Sequence, residues 1–418
     1  MSEKTAALVV GGGVIGAACA HYLCEAGLSV TVVDAAHFGQ GCSHGNCGFL
    51  TPSHALPLCV PGAIGKTLDA LLDDDAPFSI KPRFDPALWR WLFKFAGRCK
   101  HDLAIAAGRA RLALLNSSLA LYKQLIAREQ FDCEFETRGL LFVYQTLQEW
   151  EKYAPTNDMT RDEFDLAASP LDRQTLLNLE PALKPSVAGA WHFEMDAHLR
   201  PDMLMTAWRA HLEKQGVSIR EHVSVTGLRR AGRRANAVET DQGDIQADLI
   251  VVATGAWTPK LQALLECKIP IQPGKGLSIT MPRPAVCPSY PMLFPEHKVG
   301  ATPWKSGYRL GSTMEFAGYD TSIDPRRVEL LRRGARRYLR EPYCDPVLET
   351  WYGWRPMTYD GLPIIDRTPA MDNVFLAAGH SMLGLSMAPA TGKLLAEIAL
   401  ERSPHIDREP YRVSRFET

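Results

Sequence analysis

The sequence lacks several features that mark specialised classes of protein. Its ten cysteines include no CxxC pair and no accompanying histidine spacing, so neither a metal site nor a dithiol redox centre is predicted. The formal net charge is −1, and no overall field therefore favours nucleic acid as a partner. No run reaches the roughly 18 to 20 apolar residues that span a bilayer. These absences favour a globular protein that recognises its partners at local sites.

The chain also has no N-terminal segment with a charged start, an apolar middle and a small-residue cleavage site. Because an apolar strand is predicted from Ala6, removal of a leader would destroy it. This start and the unpaired cysteines predict the reducing cytoplasm. The length of 418 residues, of which 46% are hydrophobic, predicts two or three domains with sizeable cores.

A βαβ unit at residues 6–34 is the most informative stretch. Apolar residues 6–10 predict a buried parallel strand, a Gly-x-Gly-x-x-Gly motif opens a helix, and a second strand ends at Asp34. The motif's first glycine, Gly11, permits a tight turn, and the last, Gly16, lets the helix pack on the strand. The first helical turn can meet a pyrophosphate, and Asp34 can accept hydrogen bonds from a ribose diol. The unit predicts a dinucleotide site, either NAD or FAD.

Three later stretches extend the predicted site. A loop rich in glycine and small polar residues at 39–48 can supply N–H groups and hydroxyls to a phosphate or a flavin edge, although a plain flexible loop has the same composition. Apolar strands end in glycine turns at residues 248–257 and 373–380, and a helix to Glu401 follows the second. The predicted cofactor-binding residues are Gly11, Gly13, Val14, Ile15, Gly16, Asp34, Ser43, Asn46, Gly48, Val225, Thr254, Gly255, Gly379, Gly384, Leu385 and Ser386.

Periodic apolar residues predict further helices at 60–72, 86–100, 112–126, 201–215 and 325–340. The 86–100 stretch carries arginine and lysine opposite its apolar face, which suits either a core helix or a helix on a membrane surface. The seven arginines of the 325–340 stretch are interpreted as the solvated face of a helix. Proline-punctuated extended segments at 270–303 are typical of an antiparallel sheet with irregular edges.

Residues 353–364 (GWRPMTYDGLPI) and 379–387 (GHSMLGLSM), with 311–315 (GSTME), resemble the D-amino acid dehydrogenase family, within the D-amino acid oxidase and sarcosine oxidase fold group. The resemblance covers essentially the whole chain. It implies an α/β fold in which a discontinuous Rossmann-like FAD-binding domain carries an α+β substrate domain with an antiparallel sheet. It also implies FAD held without a covalent bond. The predicted ranges are 1–80, 198–265 and 346–418 for the FAD-binding domain, and 81–197 and 266–345 for the substrate domain.

Three residues are candidates for the chemistry of amino acid oxidation. Arg355, which the resemblance also implies, can bind a substrate carboxylate through its planar guanidinium. His54 follows the glycine-rich loop and can influence the substrate amine near neutral pH, although a lone histidine is more often structural. Tyr319 can close the pocket, although packing explains it equally well.

The leading hypothesis is an FAD-dependent dehydrogenase that oxidises D-amino acids to imino or keto acids by hydride transfer to flavin N5. Cyclic substrates such as D-proline or hydroxy-D-proline are included, and a quinone or another carrier accepts the electrons. An oxidase of the glycine or sarcosine oxidase type, which produces hydrogen peroxide, is one alternative. A non-catalytic FAD-binding subunit is another. Peripheral contact with the cytoplasmic face of a membrane stays open, as does the oligomeric state.

Overall fold

The computed structural model describes residues 5–65, 78–81 and 83–417. Residues 66–72 of the predicted 60–72 helix lie outside this part of the chain. The strands are β1 (Ala6–Val10), β2 (Ser29–Val33), β3 (Phe49–Leu50), β4 (Phe78–Ile80), β5 (Leu140–Tyr144), β6 (Ser169–Asp172), β7 (Gly189–Phe193), β8 (Ala197–His198), β9 (Ser218–Arg220), β10 (Val225–Ala231), β11 (Arg234–Thr240), β12 (Ile245–Gln246), β13 (Leu249–Val252), β14 (Ile271–Met281), β15 (Met292–Phe294), β16 (Val299–Trp304), β17 (Gly307–Phe316), β18 (Glu349–Thr358), β19 (Ile364–Arg367) and β20 (Val374–Ala378).

The α-helices are Val14–Glu25, Gly41–His44, Pro86–Arg98, His101–Glu129, Leu147–Lys152, Ala154–Phe164, Arg173–Leu179, Pro201–Lys214, Gln262–Leu265, Pro325–Arg336 and Gly384–Ala399. Short 3₁₀ segments cover Pro52–His54, Gly255–Leu261, Glu409–Tyr411 and Val413–Phe416. The predicted 112–126 helix is the middle of a longer helix, His101–Glu129. The predicted 325–340 helix ends earlier, at Arg336.

A six-stranded sheet in the order β19-β20-β13-β1-β2-β9 contains the βαβ unit. All its neighbouring strands are parallel except the β19-β20 pair. Alternate residues of β1 enter two different cores: Ala7 and Val9 pack with the Val14–Glu25 helix, whereas Leu8 and Val10 pack on the other face. A sheet buried on both faces requires continuous apolar strands, which explains why β1 lacks alternation. The predicted return of the chain to this sheet is confirmed by β13 and β20.

A second, nine-stranded sheet has the order β18-β14-β17-β16-β15-β5-β7-β6, with β4 beside β17. Its central part is antiparallel, and β18 pairs along its whole length with β14. Strand β18 therefore belongs to this sheet, although its residues fall within a range predicted for the FAD-binding domain. Its ten residues match β14 in register, so backbone pairing decides its place. The two sheets confirm the predicted fold class, while the domain boundaries stay a prediction.

The long His101–Glu129 helix packs against the Gly384–Ala399 helix and fixes the start of that helix. The Tyr122 hydroxyl donates to the carbonyl of Leu385 at 2.9 Å, and Ser118 Oγ accepts from the N–H of Ala390 at 3.0 Å. Both side chains, Tyr122 and Ser118, are buried. The first turn of the Gly384–Ala399 helix is thereby held at the edge of the six-stranded sheet, where a large cavity lies.

Candidate active site

A cavity of about 960 Å³ runs from the carboxyl ends of β1 and β2 to the face of β14, β17 and β18. The carboxyl edge of a parallel sheet is where open α/β folds bind their ligands. Of the predicted site residues, those that line the cavity are Gly11, Gly13, Val14, Ile15, Asp34, Ser43, Asn46, Gly48, His54, Val225, Thr254, Gly255, Arg355, Gly384 and Leu385. Gly16, Tyr319, Gly379 and Ser386 are not in contact with it.

The glycine motif shapes one end of this cavity. Gly11 has φ +109°, and a Cβ there would lie 2.5 Å from the carbonyl oxygen of Ala253. A Cβ on Gly16 would lie 1.8 Å from the carbonyl oxygen of Gly11, so Gly16 acts behind the cavity wall by allowing the helix to approach the turn. The first turn of the helix, whose N–H groups have no intrahelical acceptor, lines the cavity. This end suits a pyrophosphate.

Asp34 and Ser43 bind the backbone around this turn. The Asp34 carboxylate accepts from the N–H of Gly12 at 2.6 Å and of Ala36 at 2.8 Å, one bond to each oxygen. A carboxylate oxygen can accept a further bond, so Asp34 keeps capacity for a ribose hydroxyl. Ser43 Oγ accepts from the N–H of Val14 at 2.8 Å and thereby caps the helix from a distant loop.

The glycine-rich loop is held by side chains of the second sheet. Ser278 donates to the carbonyl of Gly45 at 2.7 Å, and Thr302 donates to the carbonyl of Cys47 at 2.7 Å. The buried guanidinium of Arg309 donates to the carbonyl of Asn46 at 2.8 Å. The Asn46 amide is itself used within the loop, where its oxygen accepts from the Gly48 N–H at 2.9 Å. The loop is therefore a fixed wall of the cavity.

The turn between β20 and the Gly384–Ala399 helix closes another part of the wall. Ser381 is buried there and lines the cavity, yet its hydroxyl has no hydrogen-bond partner among the described residues. The His380 ring bonds Thr391 Oγ1 at 2.9 Å, and burial lowers the pKa of His380 to about 3, which keeps it neutral. Ser386 faces away and bonds the backbone of Phe49 and Thr51. The orphaned Ser381 hydroxyl, beside a helix start, fits a polar ligand edge.

Arg355 projects from β18 into the cavity. Its Nη1 donates to the carbonyl of Thr313 at 2.7 Å, and burial lowers the pKa of its guanidinium. Gly276 on the paired strand leaves the space for this group, since a Cβ there would lie 2.2 Å from Nη1. Within the described residues no carboxylate lies within ion-pair distance of Arg355. A buried cation without a counterion is costly, so the site favours an anionic ligand here.

His54 also faces the cavity, from the 3₁₀ segment after β3. Its Nδ1 lies 3.1 Å from Ser53 Oγ, and its ring stands edge-on to Phe142 with centroids 5.6 Å apart. Burial, with the positive charge of Arg111, lowers the pKa of His54 to about 4. The imidazole is therefore neutral near pH 7, with one nitrogen able to accept a proton or hydrogen bond.

Tyr319 lies behind an aromatic part of the wall. Its hydroxyl donates to the carbonyl of Ala256 at 2.7 Å, and burial raises its pKa to about 12. The Lys260 ammonium lies 4.2 Å from its ring centroid, and the ring of Trp354 lies edge-on at 5.8 Å. Lys260 and Trp354 line the cavity, whereas Tyr319 supports them.

Several lining residues were missed by the sequence interpretation. Trp351 fills space left by two glycines, since a Cβ on Gly45 or Gly353 would lie 2.2 or 2.3 Å from its ring. Gly45 meets Trp351 and Gly353 only through the fold, so no local pattern identifies this contact. Cys42 and Cys47 also line the cavity, and burial raises the pKa of both thiols. Ser381 could have been predicted as a lining residue, because it lies between two glycines of a predicted strand-to-helix turn.

The cavity fits FAD on its own features. One end has a glycine turn, a helix start and a carboxylate for a ribose, and the other has two buried polar atoms without partners, Ser381 Oγ and Trp354 Nε1. A group with a diphosphate, a ribose and a flat polar ring would meet each of them. Within the described residues no group of three or more metal-ligating side chains is placed to hold an ion. The fold and the site define a flavin-dependent oxidoreductase with a Rossmann-like domain.

Comparisons with known proteins agree with this class. Residues 6–398 match the DAO family, described as FAD dependent oxidoreductase. A curated D-amino acid dehydrogenase from Xanthobacter autotrophicus is 31% identical over 420 residues, which cover 98% of each chain. The chain therefore belongs to the DAO family of FAD-dependent oxidoreductases, and FAD is its cofactor.

Solved structures show the same fold. The crystal structure of glycine oxidase from Geobacillus kaustophilus has a TM-score of 0.78 at 21% identity and covers 98% of this chain and 99% of its own. That of L-proline dehydrogenase from P. horikoshii has a TM-score of 0.74 at 21% identity, over 100% of this chain and 99% of its own. At such identities the likeness concerns the fold alone.

Proposed function

We propose that this enzyme oxidises D-amino acids, including cyclic ones such as D-proline or hydroxy-D-proline, to imino acids that hydrolyse to keto acids. The observation that carries the proposal is Arg355, a half-buried arginine whose guanidinium lines the cavity without a carboxylate partner among the described residues. An amino acid supplies the missing carboxylate. The name of the curated relatives, D-amino acid dehydrogenase, supports the substrate class.

The residues around Arg355 give it a defined orientation. The bond from Nη1 to the Thr313 carbonyl fixes one edge of the guanidinium, and the free donors can bind a carboxylate bidentately. A carboxylate fixed in this way restricts the substrate to a few poses, which lowers the entropic cost of reaction. In this site, bound FAD would supply the acceptor for the hydride equivalent of the substrate Cα–H bond. The aromatic wall around Trp354, which Tyr319 supports, excludes water from the bound substrate.

His54 is the cavity's candidate for receiving a substrate proton. An amino acid arrives as an ammonium, and the nitrogen must be unprotonated before the C–H bond breaks. The neutral ring of His54 has one acceptor nitrogen, as its low pKa requires. We place His54 beside the substrate amine and Arg355 beside the carboxylate.

An anaerobic screen tests the proposed function. The holoenzyme is mixed with D-, L-, N-methyl and cyclic amino acids, and flavin absorbance is followed. Reduction by D-amino acids is expected, and failure of every amino acid to reduce the flavin would favour a non-catalytic FAD-binding subunit. In air, turnover only with a dye or a quinone supports a dehydrogenase, whereas stoichiometric hydrogen peroxide supports an oxidase.

We further propose that electrons pass to a quinone and that the Pro86–Arg98 helix rests on the cytoplasmic face of a membrane. Leu88 and Trp91 are buried, whereas Trp89 is 55% and Phe93 76% exposed, one turn apart. Nearby Phe84 is 96% exposed. Exposed aromatics on a helix with a basic side are typical of interfacial binding. No helix in the described part of the chain is long and apolar enough to cross a membrane.

Vesicle sedimentation tests this contact. The Trp89→Ser/Phe93→Ser variant is expected to sediment with anionic vesicles several-fold less than the wild-type enzyme, because apolar area and charge both contribute to interfacial binding. Leu147→Ser/Leu348→Ser is the control, since these side chains are 55% and 61% exposed elsewhere. Equal sedimentation of the two variants would contradict the contact.

A further inference from the structure

A fully buried carboxylate, Asp196, lies behind His54. Its exposed fraction is 0%, and within the described residues it has no ion-pair partner. Asp196 directly precedes β8, and the 3₁₀ segment Pro52–His54 follows β3, so the antiparallel β3-β8 pair brings the two together. A carboxylate in such a place is costly unless it is hydrogen-bonded or takes up a proton.

Ser53 links this carboxylate to the imidazole. Its N–H donates to Asp196 Oδ1 at 3.1 Å, and its hydroxyl donates to Oδ2 at 2.5 Å. The same hydroxyl oxygen lies 3.1 Å from His54 Nδ1. While the hydroxyl proton points to Asp196, its oxygen can only accept, so Nδ1 carries the ring proton. Nε2 is then the acceptor, and it has no hydrogen-bond partner among the described residues of the cavity.

The charges around His54, Ser53 and Asp196 favour neutral forms of the imidazole and the carboxyl group. Arg111 donates to the His54 carbonyl at 2.9 Å, and burial, with the charge of Arg111, lowers the pKa of His54 to about 4. Burial raises the pKa of Asp196 to about 7, against the opposing effect of its bonds from Ser53. Burial, with the nearby charge of Asp196, raises the pKa of Tyr153 and keeps its phenol protonated. The imidazole therefore resists holding a positive charge, whereas Asp196 can accept a proton near neutral pH.

We propose that His54, Ser53 and Asp196 form a proton relay that takes one proton from the ammonium of the bound amino acid. The ammonium N–H bond breaks as a proton joins His54 Nε2, the Nδ1 proton passes to Ser53 Oγ, and the hydroxyl proton of Ser53 passes to Asp196 Oδ2. No electrons are transferred in this step. It begins with a cation and a buried anion and ends with a neutral amine and a neutral acid.

The neutral amine and neutral acid at the end of this step are the physical reason for the relay. Separate charges cost most where water is excluded, so a concerted shift that removes both is favoured over formation of an imidazolium beside Arg111. The proton shuttle His54 is then a catalytic residue, and Ser53 and Asp196 are positioning residues that act through it. The inference rests on the proposed function, since it requires an amino acid ammonium.

The pH dependence of anaerobic flavin reduction by a D-amino acid tests the relay. Below pH 7 Asp196 is protonated and cannot accept, so the wild-type second-order rate constant should rise with pH through about 7. In Ser53→Ala the proton relay is interrupted because the hydroxyl is missing. The enzyme then depends on substrate that is already deprotonated in solution. We expect this rate constant to fall about 10²-fold at pH 7. Its rise with pH should be displaced towards the ammonium pKa of the substrate, and at high pH it should recover the wild-type value. Ser53→Thr keeps the hydroxyl and should retain the wild-type profile.

A second measurement does not need turnover. The infrared C=O band of a protonated carboxyl group in the holoenzyme should titrate near pH 7 and be absent in Asp196→Asn. Absence of a band that depends on Asp196 would overturn the relay, as would a wild-type profile in Ser53→Ala. If wild-type flavin is reduced by no amino acid, the proposed function fails and the relay with it. FAD content and the unfolding temperature identify variants that fail to fold. If Ser53→Ala is one of them, the pH profile of flavin reduction in Ser53→Thr is the kinetic test, and a profile unlike that of the wild-type enzyme would contradict the relay.

Discussion

Replacing Arg355 by methionine is expected to lower kcat/KM for a D-amino acid by about 10²- to 10⁴-fold, since loss of one partner of a charge pair removed from water costs about 3–5 kcal/mol. The substrate carboxylate would enter a buried cavity without its counterion. Steady-state kinetics with a dye as acceptor measures the loss. Arg355→Lys should recover only part of it, because an ammonium keeps the charge but cannot bind a carboxylate bidentately.

Arg173→Met is a suitable control for the Arg355 variant. Arg173 also donates to a backbone carbonyl, that of Val187 at 2.9 Å, but it does not line the cavity. Both variants should retain their FAD. If Arg355→Met kept wild-type kcat/KM, or lost no more than Arg173→Met, Arg355 would not bind the substrate carboxylate.

Gly16→Ala is expected to weaken FAD binding about 10²-fold or more. The added Cβ would lie 1.8 Å from the carbonyl oxygen of Gly11, and because this atom is backbone, the helix must move away from the turn. Overpacking of this kind costs about 1–3 kcal/mol and sometimes more, and the displaced helix start is the part that meets the pyrophosphate. The bound flavin per protein after purification and titration of the apoprotein with FAD measure the effect.

Gly97→Ala is the matched control for Gly16→Ala. Gly97 also lies in a helix, Pro86–Arg98, but a Cβ there meets nothing within 4 Å. This variant should bind FAD as tightly as the wild-type enzyme and be slightly more stable, since alanine favours the helix. Full FAD occupancy in Gly16→Ala would show that the helix tolerates displacement and that the pyrophosphate is held elsewhere.

The sequence was sufficient for the parts of the site that lie in local motifs. The turn at Gly11, the helix after it and the acid at Asp34 follow each other in the chain, so spacing alone predicted their arrangement. The return of the chain at β13 and β20 was predicted for the same reason, since each strand ends in its own glycine turn. Arg355 was predicted because it stands in a motif that the family resemblance implies.

The rest of the site depends on contacts between distant segments. Asp196 has no motif around it, and only the β3-β8 pairing places it behind Ser53. The space that holds Arg355 comes from Gly276, on a strand paired with β18 by a register that the sequence does not reveal. Strand β18 itself joins the second sheet through this pairing, although its residues fall in a range predicted for the FAD-binding domain. Backbone pairing and side-chain volume, rather than local propensity, decide these positions.

A D-amino acid is expected to reduce the flavin of this enzyme. The most direct test of this expectation is anaerobic mixing of the holoenzyme with the D and L enantiomers of the same amino acid, with proline as the first pair, while flavin absorbance is recorded. The flavin band should be lost rapidly with the D enantiomer and stay unchanged with the L enantiomer. Loss of the band with the L enantiomer alone, or with neither enantiomer of any amino acid tried, would contradict this expectation.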